Sequence, residues 1–353
     1  MYKKITIALI SALMTVGYVN LNENINSNIP TVQAATKKYL KVKGTKKVRL
    51  YTANGKKSKY YANPNKNYAY TSQKYLKVSG KKYLAYKISN NSHYILAKNA
   101  SLVKTSTYKQ ATIKLPKGYT KSALLQAYKG KPSASFIKAS MEGMDDNNFS
   151  RTKTAESKKD NQTKIDPVDL TASQKEELTK FSLRLINDAR KDLGLKPWLY
   201  SKGAQKLAQD IATEYQADGH GIQDGDHYVA GIVRACKNNG LNLDDNYVED
   251  MAGFAHLNKK MTMTEMKKNI YFGIKQMIFG YTGATELGRK DKSYYREWKH
   301  AGDLFNTQGS KHDGDYNYYG FSISKVGNVY SMHYVSVPSF VVNSSKYNTG
   351  FEI

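Results

Sequence analysis

The sequence predicts an α+β protein of two modules: a small β domain, then a layered domain in which helices precede an antiparallel hairpin. Short β-type runs broken by Gly, Asn and Lys turns fill positions 38–96, where Lys-Tyr-Leu-Lys-Val occurs twice, at 38–42 and 74–78. Apolar residues then recur at helical spacing from 178 to 278. Finally, two alternating runs, 318–326 and 329–337, meet at Gly327-Asn328. Helices gathered before strands argue for the α+β class.

Charge is distributed unevenly between these modules. The 353 residues carry a formal net charge of +26, and positions 36–141 contain no Asp or Glu. A Lys- and Tyr-rich stretch without carboxylates cannot neutralise itself and suits an external polyanion. Which polyanion depends on the compartment. Lys3 and Lys4 precede an apolar run at 5–19, and small residues follow at Ala34-Ala35. This pattern reads as a secretory signal peptide over 1–35. No later stretch has the roughly 20 apolar residues of a membrane helix, so the mature chain is expected to have no transmembrane segment. Export removes nucleic acid as a partner and favours an anionic cell-wall polymer such as a teichoic acid. The lone Cys236 excludes an internal disulfide and is read as a small buried apolar residue.

In the front module, Val48-Arg49-Leu50-Tyr51, Tyr83-Leu84-Ala85-Tyr86 and Tyr94-Ile95-Leu96 are strand-like, with turns at Asn54-Gly55 and Ser79-Gly80. Few aliphatics imply a thin core dressed with Tyr rings and Lys stems. Positions 36–104 resemble the surface-layer-associated domain of lactobacilli, through Arg49-Leu50-Tyr51, Asn54-Gly55-Lys56-Lys57, Lys82-Tyr83 and His93-Tyr94-Ile95. The resemblance implies non-covalent wall binding, with Lys56, Lys57, Lys81, Lys82, Tyr83 and Tyr94 as the expected contacts. No sorting motif follows Val342, so attachment is expected to come from this module.

Positions 105–170 read as a connecting segment: a strand-like run at 112–119, a short helix at 122–128, then a polar, flexible linker over 142–169. The second domain is expected over 171–342, with 343–353 as a tail. Thr171 or Ser173 caps its first helix, with Glu176 completing a capping box, and Gly194 stops it. Further helices are expected at 202–216, 228–239 and 264–279.

Six of the seven histidines lie in this domain. Three contexts stand out: Asp226-His227-Tyr228 before the third helix, a loop at 246–253 containing Glu249, and 297–304 with Glu297 and His300. Two imidazoles with one or two carboxylates are what a divalent metal or an acid–base pair requires. His333, on a strand face with Val335 and Val337, is expected to be packed.

Positions 178–337 resemble the CAP superfamily, and within it the branch of lactobacillus surface proteins that includes surface-exclusion proteins. The resemblance rests on Leu185-Ile186-Asn187-Asp188-Ala189-Arg190, Leu207-Ala208-Gln209-Asp210-Ile211-Ala212, Tyr247-Val248-Glu249-Asp250-Met251, His300-Ala301-Gly302-Asp303-Leu304-Phe305-Asn306 and Tyr319-Gly320-Phe321-Ser322. It implies an α-β-α sandwich with a shallow cleft holding His227, Glu249, Glu297 and His300. His220 is the alternative to His227, and Glu286 to Glu297. Zinc on His227 and His300 is a further implication. The chain departs from the family in having Glu-Asp where Glu-Asn is usual, and it lacks Ser-Pro-Gly before His300.

The expected function is surface display: the basic module holds the wall, and the CAP-like domain meets a ligand or a host or neighbouring cell. A metal-assisted hydrolase of wall or peptide substrates is the alternative, although the chain has no His-Glu-x-x-His and no Gly-x-Ser-x-Gly. An apolar-ligand carrier is a third possibility, without a pocket-lining pattern in the sequence.

Overall fold

The computed structural model describes residues 38–64, 66–89, 91–103, 110–149 and 156–353. The expected signal peptide lies outside them. The chain divides into two compact units, separated near 109.

The front unit is one antiparallel sheet of seven strands: β1 (Lys38–Val42), β2 (Val48–Tyr51), β3 (Lys57–Ala62), β4 (Asn67–Val78), β5 (Lys81–Ile88), β6 (Tyr94–Leu96) and β7 (Ala100–Val103). Their order is β3-β2-β6-β5-β4-β1-β7. Gly55 turns β2 into β3 at φ +76°, and a Cβ there would sit 2.1 Å from the Lys77 carbonyl oxygen. Only glycine fits this turn. Two small apolar clusters form the core, one around Leu40, Leu50 and Ile95, the other around Leu76, Ala85 and Leu96.

In the second unit, α1 (Lys121–Tyr128), α2 (Ala134–Asp146), α3 (Lys158–Gln162) and β8 (Lys164–Ile165) precede α4 (Ala172–Asp192), β9 (Leu199–Tyr200), α5 (Lys202–Ala217) and α6 (Val229–Asn238). Then come β10 (Glu249–Ala255), β11 (Met261–Thr262), α7 (Met263–Phe279), α8 (Lys299–Leu304), β12 (Asn317–Val326), β13 (Val329–Pro338) and α9 (Ser339–Val342). The main sheet runs β10-β13-β12-β9, antiparallel except where β9 joins β12.

Period-2 alternation sends the two faces of this sheet into different cores. Ala252, Phe254, Phe321, Met332 and Tyr334 pack with α4, α7 and α8. Met251, Val335 and Val337 pack with α5 and α6. The result is an α+β unit with helices on both faces of the sheet.

Four expectations need correction. Residues 110–149 and 156–170 are not a connecting segment and linker. They carry α1, α2, α3 and β8, and they place Tyr119, Phe136, Phe149 and Ile165 in the main core. Two of their carboxylates are taken up by the fold: Glu156 pairs with Arg184 at 3.0 Å and Asp160 with Lys267 at 2.7 Å. The run at 112–119 is not a strand. The α4 capping box joins Thr171 to Gln174, not to Glu176. Lastly, 343–353 is not a free tail: Phe351 is buried, and Asn348 bridges to Leu241.

Candidate functional site

The expected loop at 246–253 is largely a strand, and this sets the site. Asn246 holds its entry: its amide oxygen accepts the Glu249 N–H at 2.9 Å, and its amide nitrogen donates to the Glu249 carbonyl at 3.0 Å. Glu249 therefore starts β10 with its side chain on the α5 face, and Asp250 points to the opposite face. A 3-10 turn at Ile222–Asp224, ended by left-handed Gly225 at φ +80°, delivers His227 ahead of α6. Gly280 ends α7 at φ +65°, where a Cβ would strike the Trp298 ring. That close packing fixes the approach to α8, which carries His300 in its first turn.

These elements bring the four expected side chains together. Nδ1 of His227 lies 2.9 Å from Glu249 Oε2, and Nδ1 of His300 lies 2.7 Å from Glu297 Oε2. The two imidazole rings are 6.1 Å apart, centre to centre. Glu297 also caps α8, accepting the Lys299 N–H at 2.7 Å. The alternatives fall elsewhere. His220 stacks on Tyr228 at 4.1 Å and faces Asp224, whereas Glu286 takes the Nζ of buried Lys275 at 2.7 Å.

Sequence reasoning missed the groups behind Glu249. Nδ1 of His333 hydrogen-bonds Glu249 Oε1, and Tyr215 O–H donates to Oε2 at 2.8 Å. Ser324 Oγ lies 2.7 Å from His333 Nε2. His333 is packed, as expected, but packed into this network. The available signal was a histidine on a strand face otherwise occupied by Val335 and Val337.

Burial and charge pull the titratable groups in opposite directions. Burial alone would raise the Glu249 carboxyl, but hydrogen bonds from His227 and His333 outweigh it and bring the group down to about 2. Burial would lower His300, yet the Glu297 carboxylate, with Asp250 and Asp303 behind it, raises it to about 9. His300 is therefore a cation at neutral pH, and its contribution to stability is complete below about 6.5, shrinks as pH rises above that value and is gone once pH has passed about 9. Asp250 and Asp303 are both raised, first by burial and then by Glu297 and, for Asp250, its neighbour Asp303. Asp250 Oδ1 is buried without a hydrogen-bond partner.

For a zinc ion the cleft offers Nε2 of His227, and Nε2 of His300 only after that imidazolium has lost a proton, since both Nδ1 atoms face the glutamates. Among the described residues no group of three or more His, Cys, Asp or Glu is placed to hold a metal. At most two donors fall short of the three protein ligands of an ordinary catalytic zinc site.

In the front unit, Lys56, Lys57, Lys81 and Lys82 are exposed and Tyr83 is half-buried beneath Lys98, whose Nζ lies 4.5 Å from the ring centre. Tyr94 is a correction. It lies on β6, inside the sheet, and is 6 % exposed, so its ring belongs to the core. Tyr60, Tyr61 and Tyr75 are the exposed rings instead. Lys59 and Arg49 lie over Tyr60 and Tyr61 at 5.5 and 4.4 Å.

No family model matches the chain, and no curated protein matches it. Among solved structures, the CAP domain of Enterococcal PrgA aligns at TM-score 0.50 and 28% identity, covering 68% of this chain and 91% of that one. The second unit is therefore CAP-like, with mixed helix and strand in the α+β class. Among the described residues no helix is long and apolar enough to cross a membrane.

Proposed function

We propose that this is a secreted cell-surface protein whose front unit binds an anionic wall polymer and thereby displays the CAP-like unit for contact with a ligand or another cell. One observation carries the reading: the front unit is a folded sheet with exposed Lys56, Lys57, Lys81 and Lys82 and no carboxylate of its own. Its exposed tyrosines add flat faces beside the cations, suited to sugar rings between phosphates. Anchoring of this kind is screened by salt, because exposed charges separate by more than a Debye length of about 3 Å at 1 M. Washing cells that carry the protein with concentrated lithium chloride should release most of it, and retention through that wash would sink the reading.

A second reading draws on the different surroundings of the two cleft imidazoles. His227 has an Nε2 without a partner among the described residues, and His300 is an imidazolium paired with Glu297. A base and an acid so placed could hydrolyse a peptide or ester bond of a wall or surface substrate: His227 would take a proton from water and His300 would give one to the leaving group. Incubation with isolated wall peptides should then yield cleavage that falls by at least about 100-fold in His227→Ala. Equal turnover by the variant would discard the hydrolytic reading and leave the display function intact.

A further inference from the structure

We propose that Ser324, His333 and Glu249 form one buried hydrogen-bonded relay that fixes the ring of His227, so that Ser324 and His333 are positioning residues of the cleft. This rests on the reading of the cleft as a functional site. The order of contacts, Ser Oγ to His Nε2 and His Nδ1 to carboxylate, is that of a nucleophilic triad. Burial excludes that role. Ser324 is 1 % exposed and His333 is fully buried, so no scissile carbonyl can reach the hydroxyl.

The relay instead continues outward. The second oxygen of Glu249 faces Nδ1 of His227, whose side chain is 26 % exposed and borders the His300 ring. A carboxylate accepts and cannot donate, so each ring, when neutral, must keep its single proton on Nδ1. For His333 this leaves Nε2 as an acceptor, which the Ser324 O–H fills. For His227 it leaves Nε2 as the free acceptor at the cleft. Tyr215 O–H supports the same oxygen of Glu249 that His227 uses, and the Tyr228 N–H holds Tyr215 in turn at 2.7 Å. With Oε1 occupied by His333 and Oε2 by Tyr215 and His227, the carboxylate cannot rotate, and the His227 ring has one orientation. Partners such as these, one step behind the working group, commonly set its tautomer and aim.

The test uses the full chain with nitrogen-15 in its histidines, and reads ring tautomers by long-range proton–nitrogen correlation without any ligand. In the wild type both His227 and His333 should show Nδ1–H, with a downfield proton on each. Ser324→Ala should shift the His333 Nε2 resonance and displace those of His227 as well. His333→Phe should abolish the downfield proton of His227. His333→Gln, whose amide can still donate to Glu249 and accept from Ser324, should restore it. Finding His333 protonated on Nε2, or His227 unmoved in Ser324→Ala and in a folded His333→Phe, would overturn the relay. So would a covalent fluorophosphonate adduct on Ser324, which would make the serine a nucleophile. Because no ligand is present, failure of the relay is distinguishable from failure of the cleft to bind or turn over anything.

Discussion

Glu249→Ala should cost about 3–5 kcal/mol of folding stability at neutral pH, the range found when one partner of a buried ionic contact is removed. The carboxylate is fully buried and is the shared acceptor for His227, His333 and Tyr215. Its removal leaves two buried donors, His333 Nδ1–H and Tyr215 O–H, facing a void. The pH dependence gives the effect a sign. Glu249 is depressed from its ordinary value of 4.5 to about 2, so its contribution is complete above 4.5 and is lost as pH falls through about 2. Denaturant melts of wild type and Glu249→Gln should therefore differ most at pH 6–7 and converge toward pH 2. A loss below about 1 kcal/mol at pH 7, the worth of a single ordinary hydrogen bond, would mean that Glu249 is not the hub described.

Arg190→Ala should be comparably severe, about 3–5 kcal/mol, for a different reason. Arg190 is fully buried, and its guanidinium ties three chain segments together. It donates to the carbonyls of Lys196 at 2.9 Å, Leu304 at 2.7 Å and Asp315 at 2.7 Å, and to Asn306 Oδ1 at 2.8 Å. Trp198 shares the same Asn306 oxygen through its indole N–H at 2.8 Å. Asn306 holds a left-handed φ of +44°, so the bend that leads from α8 into β12 depends on these donors. A planar fork is needed to reach several carbonyls at once, and Arg190→Lys should recover little. Urea unfolding of the three proteins measures this. Near wild-type stability in Arg190→Lys would show that charge alone, not the fork, holds the bend.

The two residues illustrate what can and cannot be read along the chain. Arg190 ends the run Leu185-Ile186-Asn187-Asp188-Ala189-Arg190, whose apolar spacing forms α4, and that helix was legible because its period is local. The α5, α6 and α7 helices and the Gly327-Asn328 hairpin were legible for the same reason. The β10 strand was not: Glu249 and Asp250 interrupt its apolar pattern and both are buried, Glu249 because His227, His333 and Tyr215 receive its carboxylate, partners that no local pattern shows. Segments 110–149 and 156–170 were misread because their polar residues find partners such as Arg184 and Lys267 far along the chain. The cleft residues His227, Glu249, Glu297 and His300 came from resemblance, not periodicity. His333 was set aside because its acceptor lies 84 positions away, a relation no local pattern carries. In the front unit, lysine exposure followed from charge, whereas Tyr94 was misplaced because a ring on an inner strand and one on an edge look alike in sequence.

Titration of the full-length chain with purified, phosphate-bearing wall glycopolymer over a range of salt concentrations tests the central claim most directly. Displacement of counterions by lysines predicts tight binding in dilute buffer and a logarithm of affinity that falls linearly with the logarithm of salt, lysine by lysine. Absence of binding in dilute buffer, or an affinity indifferent to salt, would contradict the account.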